Sequence, residues 1–193
     1  MYKLCKTEQS AARQRQLEAG LLSAMAVRRY EDISVSDLCD QLSIPRKSFY
    51  RYFASKDGAL QALLDHTLMN FESFSSDYRS REKRSLQKDL EQFFAFWLAQ
   101  RPLLDVLQRS DLSGQLIERA VVYAQSDTAM PRRFLPGDGK SVQEQVVAFT
   151  VCGLMSLILN WHRAGYPQSV EEMGRLAVRL VSQPLFPNAG NLL

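Results

Sequence analysis

Histidine is almost missing from this chain of 193 residues: His66 and His162 are the only two, and neither has a Cys or carboxylate neighbour at a zinc-like spacing. Cysteine is scarce as well. Cys5, Cys39 and Cys152 are odd in number and far apart, which argues against a disulfide framework and fits a reducing compartment. There is no phosphate-cradling glycine loop and no G-x-S-x-G elbow. A Cys152–His162 nucleophile pair is the one enzyme-like combination left, yet Cys152 lies in VVAFTVCGLMSLIL, which reads as buried helix. The sequence therefore reads as a non-enzyme with no call for a metal or cofactor. No apolar run approaches the ~20 residues of a membrane span. The opening MYKLCKTEQS lacks the apolar middle of an export signal, so the expected location is the cytoplasm.

What is present is a globular composition, 46% hydrophobic, with a formal net charge of +3. The surplus is uneven. Residues 1–57 hold ten Lys/Arg against seven Asp/Glu, and the remainder holds fourteen of each. The first third is thus the end that suits a polyanion.

Nearly every segment carries a helical pattern, and period-two strands are rare. Leu17, Leu21, Ala24 and Met25 recur on one face of a first helix, Glu8 to Arg28. Ser34 stands three residues before Asp37, a capping box that opens a short helix to Leu42. Pro45 starts another short helix reaching Phe53, and Ser55 caps one from Lys56 toward Tyr78. Two or three helices follow between Ser85 and Gln125, separated at Pro102. SDTAMPRRFLPGDGK reads as a loop. Ser141 with Glu144 opens a long helix to about Arg163, Gly165 ends it, and Ser169 with Glu172 caps a final one.

The stretch SIPRKSFYRYFASK mixes four cations with four rings. At about 100° per residue the mixture separates. Phe49, Tyr52 and Phe53 fall on one side, and Arg46, Lys47, Tyr50 and Arg51 on the other. Rings anchor the helix to a small core while long donors face outward. This is the layout of a helix-turn-helix whose second helix enters the major groove, with Arg and Lys for bases or phosphates and Ser48 and Tyr50 as phosphate donors.

ISVSDLCDQLSIPRKSFYRYFASKDGAL resembles the DNA-binding segment of the TetR family of bacterial transcriptional regulators, and WHRAGYPQSVEEMGRLAVRL resembles the end of many members. The resemblance implies an all-α fold of about nine helices. Residues 1–57 would form a helix-turn-helix DNA-binding domain, and residues 58–193 a helical effector-binding and dimerisation domain. It implies that Arg46, Lys47, Ser48 and Arg51 approach bases or backbone. Tyr50 and Lys56 would contact phosphates, and Ser34 would sit near another. Three positions depart from the family pattern: Ser43 replaces a turn glycine, Arg29 a glycine before Tyr30, and Pro45 a capping Ser or Thr.

Beyond the head, LEQFFAFWLAQRPLLDVL carries more rings than one helix face holds. Core packing is one reading. The other is a pocket for an apolar or aromatic small molecule, lined by Phe93, Phe94 and Trp97 with Met130 and Phe134 from the loop. The long helix is apolar nearly all round, and Gly153 and Gly174 permit close helix approach. A two-fold homodimer through the last two helices is expected, with Phe149, Gly153, Leu157, Trp161, Met173, Gly174 and Ala177 in its interface. The resemblance implies the same dimer and an inducer. The expected function is a repressor that binds a palindromic double-stranded operator as a dimer and is released by a small molecule. The alternative is a helix-turn-helix protein without a small effector, acting through a protein partner or as an activator.

Overall fold

The computed structural model describes residues 2–79, 85–126 and 139–183. Among the described residues there are nine α-helices and no strand. They are α1 (Glu8–Val27), α2 (Val35–Gln41), α3 (Arg46–Tyr50), α4 (Lys56–Arg79), α5 (Leu86–Ala99), α6 (Arg101–Arg109), α7 (Ser113–Gln125), α8 (Lys140–Arg163) and α9 (Val170–Ser182). A 3-10 turn at Tyr30–Asp32 joins α1 to α2. The all-α class is the one the sequence predicts.

Local chemistry sets most of the boundaries. Thr7 caps α1 by accepting from the Ser10 amide at 3.2 Å. Ser34 and Asp37 form the reciprocal box that opens α2, at 2.7 and 3.1 Å, and Ser169 and Glu172 do the same for α9, at 2.8 and 3.2 Å. The box expected at Ser141 and Glu144 is not formed. Gly139, at φ 101°, makes the turn and caps the helix, so α8 begins at Lys140 and Ser141 already lies inside it. The far end follows the sequence reading: Ala164 caps α8 and Gly165 takes the left-handed φ of 77°. Pro102 sits in the first turn of α6, where its missing N–H has no helical partner to lose.

In the head, α1 buries Leu17, Leu21 and Met25 against Ile33, Leu38, Phe49, Phe53, Leu60 and Leu64. α4 then runs on, packing against α1, α5 and α7, while α5 packs on α9 and α7 on α8. The border expected after residue 57 falls within the first turn of α4. Head and bundle therefore share one continuous helix. α6 also touches α1: Arg109 Nη1 donates to the Ala26 carbonyl at 2.5 Å, and the Tyr30 amide donates to Ser110 Oγ at 2.9 Å.

α8 is long and apolar enough, by length and composition, to cross a membrane, and only 22% of its most apolar window is buried in the protomer. One face packs on α7 through residues such as Val147 and Met155. The other stays open.

Candidate functional site

The head presents its basic face as a helix of a turn and a half. α3 is shorter than the predicted Pro45–Phe53 because the chain is drawn off at Phe53, which makes an isolated β-bridge with Tyr2 while the Lys3 amide donates to the Tyr52 carbonyl at 3.0 Å. Phe49 and Phe53 are each 1% exposed, with ring centroids 5.3 Å apart. Tyr52 is half-buried, whereas Arg46, Lys47, Tyr50 and Arg51 are exposed and Ser48 is partly so. Buried rings thus hold four outward-facing side chains from behind. The neighbouring Tyr50 phenol pushes the Arg46 guanidinium pKa higher still.

The turn before α3 answers the Ser43 departure. Ser43 adopts φ 50°, the left-handed turn a glycine would make, at a cost of about 1–2 kcal/mol for a residue with a Cβ. Pro45 caps α3 with no side-chain hydrogen bond. Arg29, the other departure, pairs with Glu31 at 2.5 Å and Asp111 at 3.4 Å, fastening the end of α1 beside α7.

Ser34 and Lys56, the other two expected DNA contacts, are already engaged within the head. Ser34 Oγ accepts from Asp37. Lys56 Nζ donates to the carbonyls of Tyr30 and Ile33 and lies over the Tyr30 ring. One of its three protons remains for a phosphate.

Sequence reasoning missed the residues that brace the head. Tyr2 OH donates to Asp65 on α4 at 2.8 Å, and Asp65 accepts a bidentate pair from Arg119 on α7 at 2.7 and 2.6 Å. Burial, then Asp65, pushes the Tyr2 pKa up to about 12. A single bridge and a three-residue polar chain leave no periodic trace, so no pattern signal was available for them.

A cavity of about 260 Å³ opens between α4, α5, α7 and α8. Phe93 and Trp97 line it, joined by Phe71, Tyr123 and Met155. Phe94 does not. It is fully buried and meets Trp161 edge-on at 5.7 Å, so it is core. Met130 and Phe134 lie outside the described residues. The Tyr123 hydroxyl donates to the Glu72 carboxylate across the cavity wall; burial and that carboxylate push the phenol well above its usual range. Among the described residues, Trp97 Nε1 is the one fully buried side-chain nitrogen or oxygen without a partner.

The expected dimer residues divide. Trp161, Met173, Gly174 and Ala177 are buried inside the protomer, which corrects their assignment to an outer interface. α9 lies so close on α5 that a Cβ on Gly174 would come 2.7 Å from Glu91 Cγ, and Trp161 Nε1 donates to the Gln168 carbonyl. Phe149 (73% exposed) and Gly153 face outward with Ser156 and Asn160, and Leu157 is half-buried beside them. On α9 the exposed apolar residues are Leu176, Leu180 and Val181.

No protein-family model matches the chain, and no curated protein matches its sequence. Solved structures do share its fold. A TetR transcriptional regulator from Streptococcus agalactiae superposes with a TM-score of 0.63 at 15% identity, over 90% of this chain and 95% of that one. The TetR-family repressor AlkX from a Dietzia strain, implicated in n-alkane biodegradation, gives 0.55 at 17% identity, over 85% and 90%. The transcriptional regulator FadR from Bacillus subtilis, solved with stearoyl-CoA, gives 0.56 at 15% identity, over 88% and 98%. The fold of this chain is that of TetR-type regulators.

Proposed function

We propose that this chain is a DNA-binding transcriptional regulator: a cytoplasmic repressor that binds a pseudo-palindromic operator as a homodimer and is released by a small molecule. The observation that carries the reading is the exposed Arg46, Lys47, Tyr50 and Arg51 face, rigidly backed by buried Phe49 and Phe53. A groove-reading element needs that pairing of fixed backing and long donors.

The partly exposed stripe of α8 and the apolar residues of α9 supply the proposed two-fold contact. Two heads related by such an axis read half-sites about 34–36 Å apart, or a multiple of that. α4 is the connecting strut. Asp57, in its first turn, accepts from Tyr30 OH at 2.6 Å; Asp65, in its middle, is clamped by Tyr2 and Arg119; Leu68, Phe71 and Glu72 further along line the cavity. A ligand that prefers one placement of α4 changes the head spacing, and a tenfold loss of operator affinity requires only about 1.4 kcal/mol of differential binding. The shared fold with the repressor AlkX and with FadR, solved bound to stearoyl-CoA, supports both halves of the proposal.

The test is a mobility-shift assay with the natural DNA flanking the gene. Retardation of one palindromic fragment is expected. Failure to retard any fragment of either flank at micromolar protein would contradict the reading.

A further inference from the structure

The charges around the cavity bear on what enters it. Among its described lining residues only Glu72 and Asp89 are charged, both acidic, and no described Lys or Arg reaches the wall. Glu72 is half-buried on α4, and its carboxylate accepts from Tyr123 OH. Asp89 lies in the first turn of α5 at the mouth, where it offsets the positive end of that helix. Apart from the neutral polar Ser75 and Gln92, the remaining surface is apolar and aromatic. Phe71 meets Phe93 edge-on at 5.7 Å and 86°, and Phe93 meets Trp97 at 6.5 Å.

We infer that the effector is a lipophilic cation, a compact hydrophobic or aromatic amine or quaternary ammonium, with its charge at Glu72 and its body among Phe71, Phe93, Trp97 and Tyr123. This inference rests on the ligand-responsive reading above and names the ligand class of the same cavity. Three physical effects favour it. A half-buried carboxylate in a largely apolar wall is less well solvated than one in open water, so an opposite charge gains more there. Ring faces attract cations and not anions. An anionic ligand, such as a carboxylate or an acyl-CoA thioester, would bring like charge into the same low-dielectric space with no described cation to answer it.

Calorimetric titration of the full chain with three probes of similar shape tests this: phenylbutyl-trimethylammonium, phenylbutanol and phenylpentanoate. The cation is expected to bind about tenfold or more tighter than the alcohol, and the anion weakest. Glu72→Gln, which still accepts the Tyr123 hydrogen bond, is expected to lower the cation's affinity about tenfold while leaving the alcohol's within about twofold. Asp89→Asn gives a smaller loss of the same sign. The cation class is overturned if the anion binds as well as the cation, or if the preference survives in both variants; binding of the alcohol would then still leave a ligand-responsive regulator standing. If none of the three binds at millimolar concentration, the cation class and the ligand-responsive reading fall together.

Discussion

Lys56 grips Tyr30 from two sides: its ammonium lies 2.5 Å from the Tyr30 carbonyl oxygen and 4.1 Å from the centre of the Tyr30 ring. The same ammonium reaches the Ile33 carbonyl at 2.6 Å, so the first turn of α4 closes over the turn between α1 and α2. Lys56→Met removes both hydrogen bonds and is expected to destabilise the protein by about 1.5–3 kcal/mol. Operator affinity should drop by a similar factor for every sequence tested. Urea unfolding and a panel of duplexes check this; unchanged stability would contradict the clamp.

Lys47 behaves differently, because it is exposed on the outward side of α3. Lys47→Ala should leave the unfolding midpoint unchanged and reduce discrimination at one base pair of the half-site by about 1–3 kcal/mol. Competition binding with single-base operator variants measures it. A loss uniform across all variants would place Lys47 on the backbone instead.

Phe149 and Trp161 are both apolar residues of α8 and have opposite fates. Phe149→Lys should give a folded monomer by light scattering, with operator affinity lost. Trp161→Ala should instead lower stability by about 3–5 kcal/mol, since it empties a core position. Dimers persisting in Phe149→Lys would remove the proposed interface from that face.

Gly174→Ala gains helix propensity of about 1 kcal/mol but sets a Cβ 2.7 Å from Glu91 Cγ. Glu91 also pairs with Lys88 at 3.2 Å and Gln87 at 2.8 Å on its own helix, so relieving the contact means moving that side chain and its partners or parting the helices. A net loss of about 1–3 kcal/mol is expected. A raised unfolding midpoint would show that α5 and α9 are not held this closely.

His162 gives the fold a dependence on acidity. Its Nε2 lies 3.3 Å from Asp105, and Nδ1 lies 2.7 Å from Tyr166 OH. A carboxylate only accepts, so Nε2 carries the proton and Nδ1 accepts from Tyr166. Burial lowers the His162 pKa, outweighing the opposing pull of Asp105. The unfolded chain therefore binds the proton more readily. This contribution is complete above the unfolded pKa of about 6.5 and is lost as pH falls through the lowered folded value. Urea midpoints should fall below about pH 6.5, and His162→Gln should flatten that slope. A wild-type slope of the opposite sign would contradict the neutral assignment.

Local rules made the head legible. Ser34 with Asp37, Pro45 ahead of α3 and the Phe49–Phe53 pairing are short-range signals, and each appears in the structure where the sequence puts it. The sides of α8 and α9 were harder to read. The helix Val146–Trp161 is apolar nearly all round, so Trp161 was indistinguishable from Phe149 until its neighbours were in place; on α9 the stripe holding Met173 and Ala177 was visible, but not that α5 of the same chain covers it. Glu72 was illegible for a related reason. Its meaning comes from Tyr123, fifty-one positions away, and no spacing rule links residues on two helices that meet only through packing.

The basic face of α3 is tested most directly by fluorescence anisotropy with the palindromic duplex from the gene's own flank, titrated across a salt series. For a protein contacting 6–10 phosphates, affinity should fall by a factor of about 10³–10⁵ between about 50 and 200 mM salt. The Arg46→Ala, Lys47→Ala, Arg51→Ala triple variant should lose binding while keeping its helical signal and dimer mass. A salt-independent affinity, or a triple variant that binds like the unaltered protein, would mean that this surface does not meet DNA.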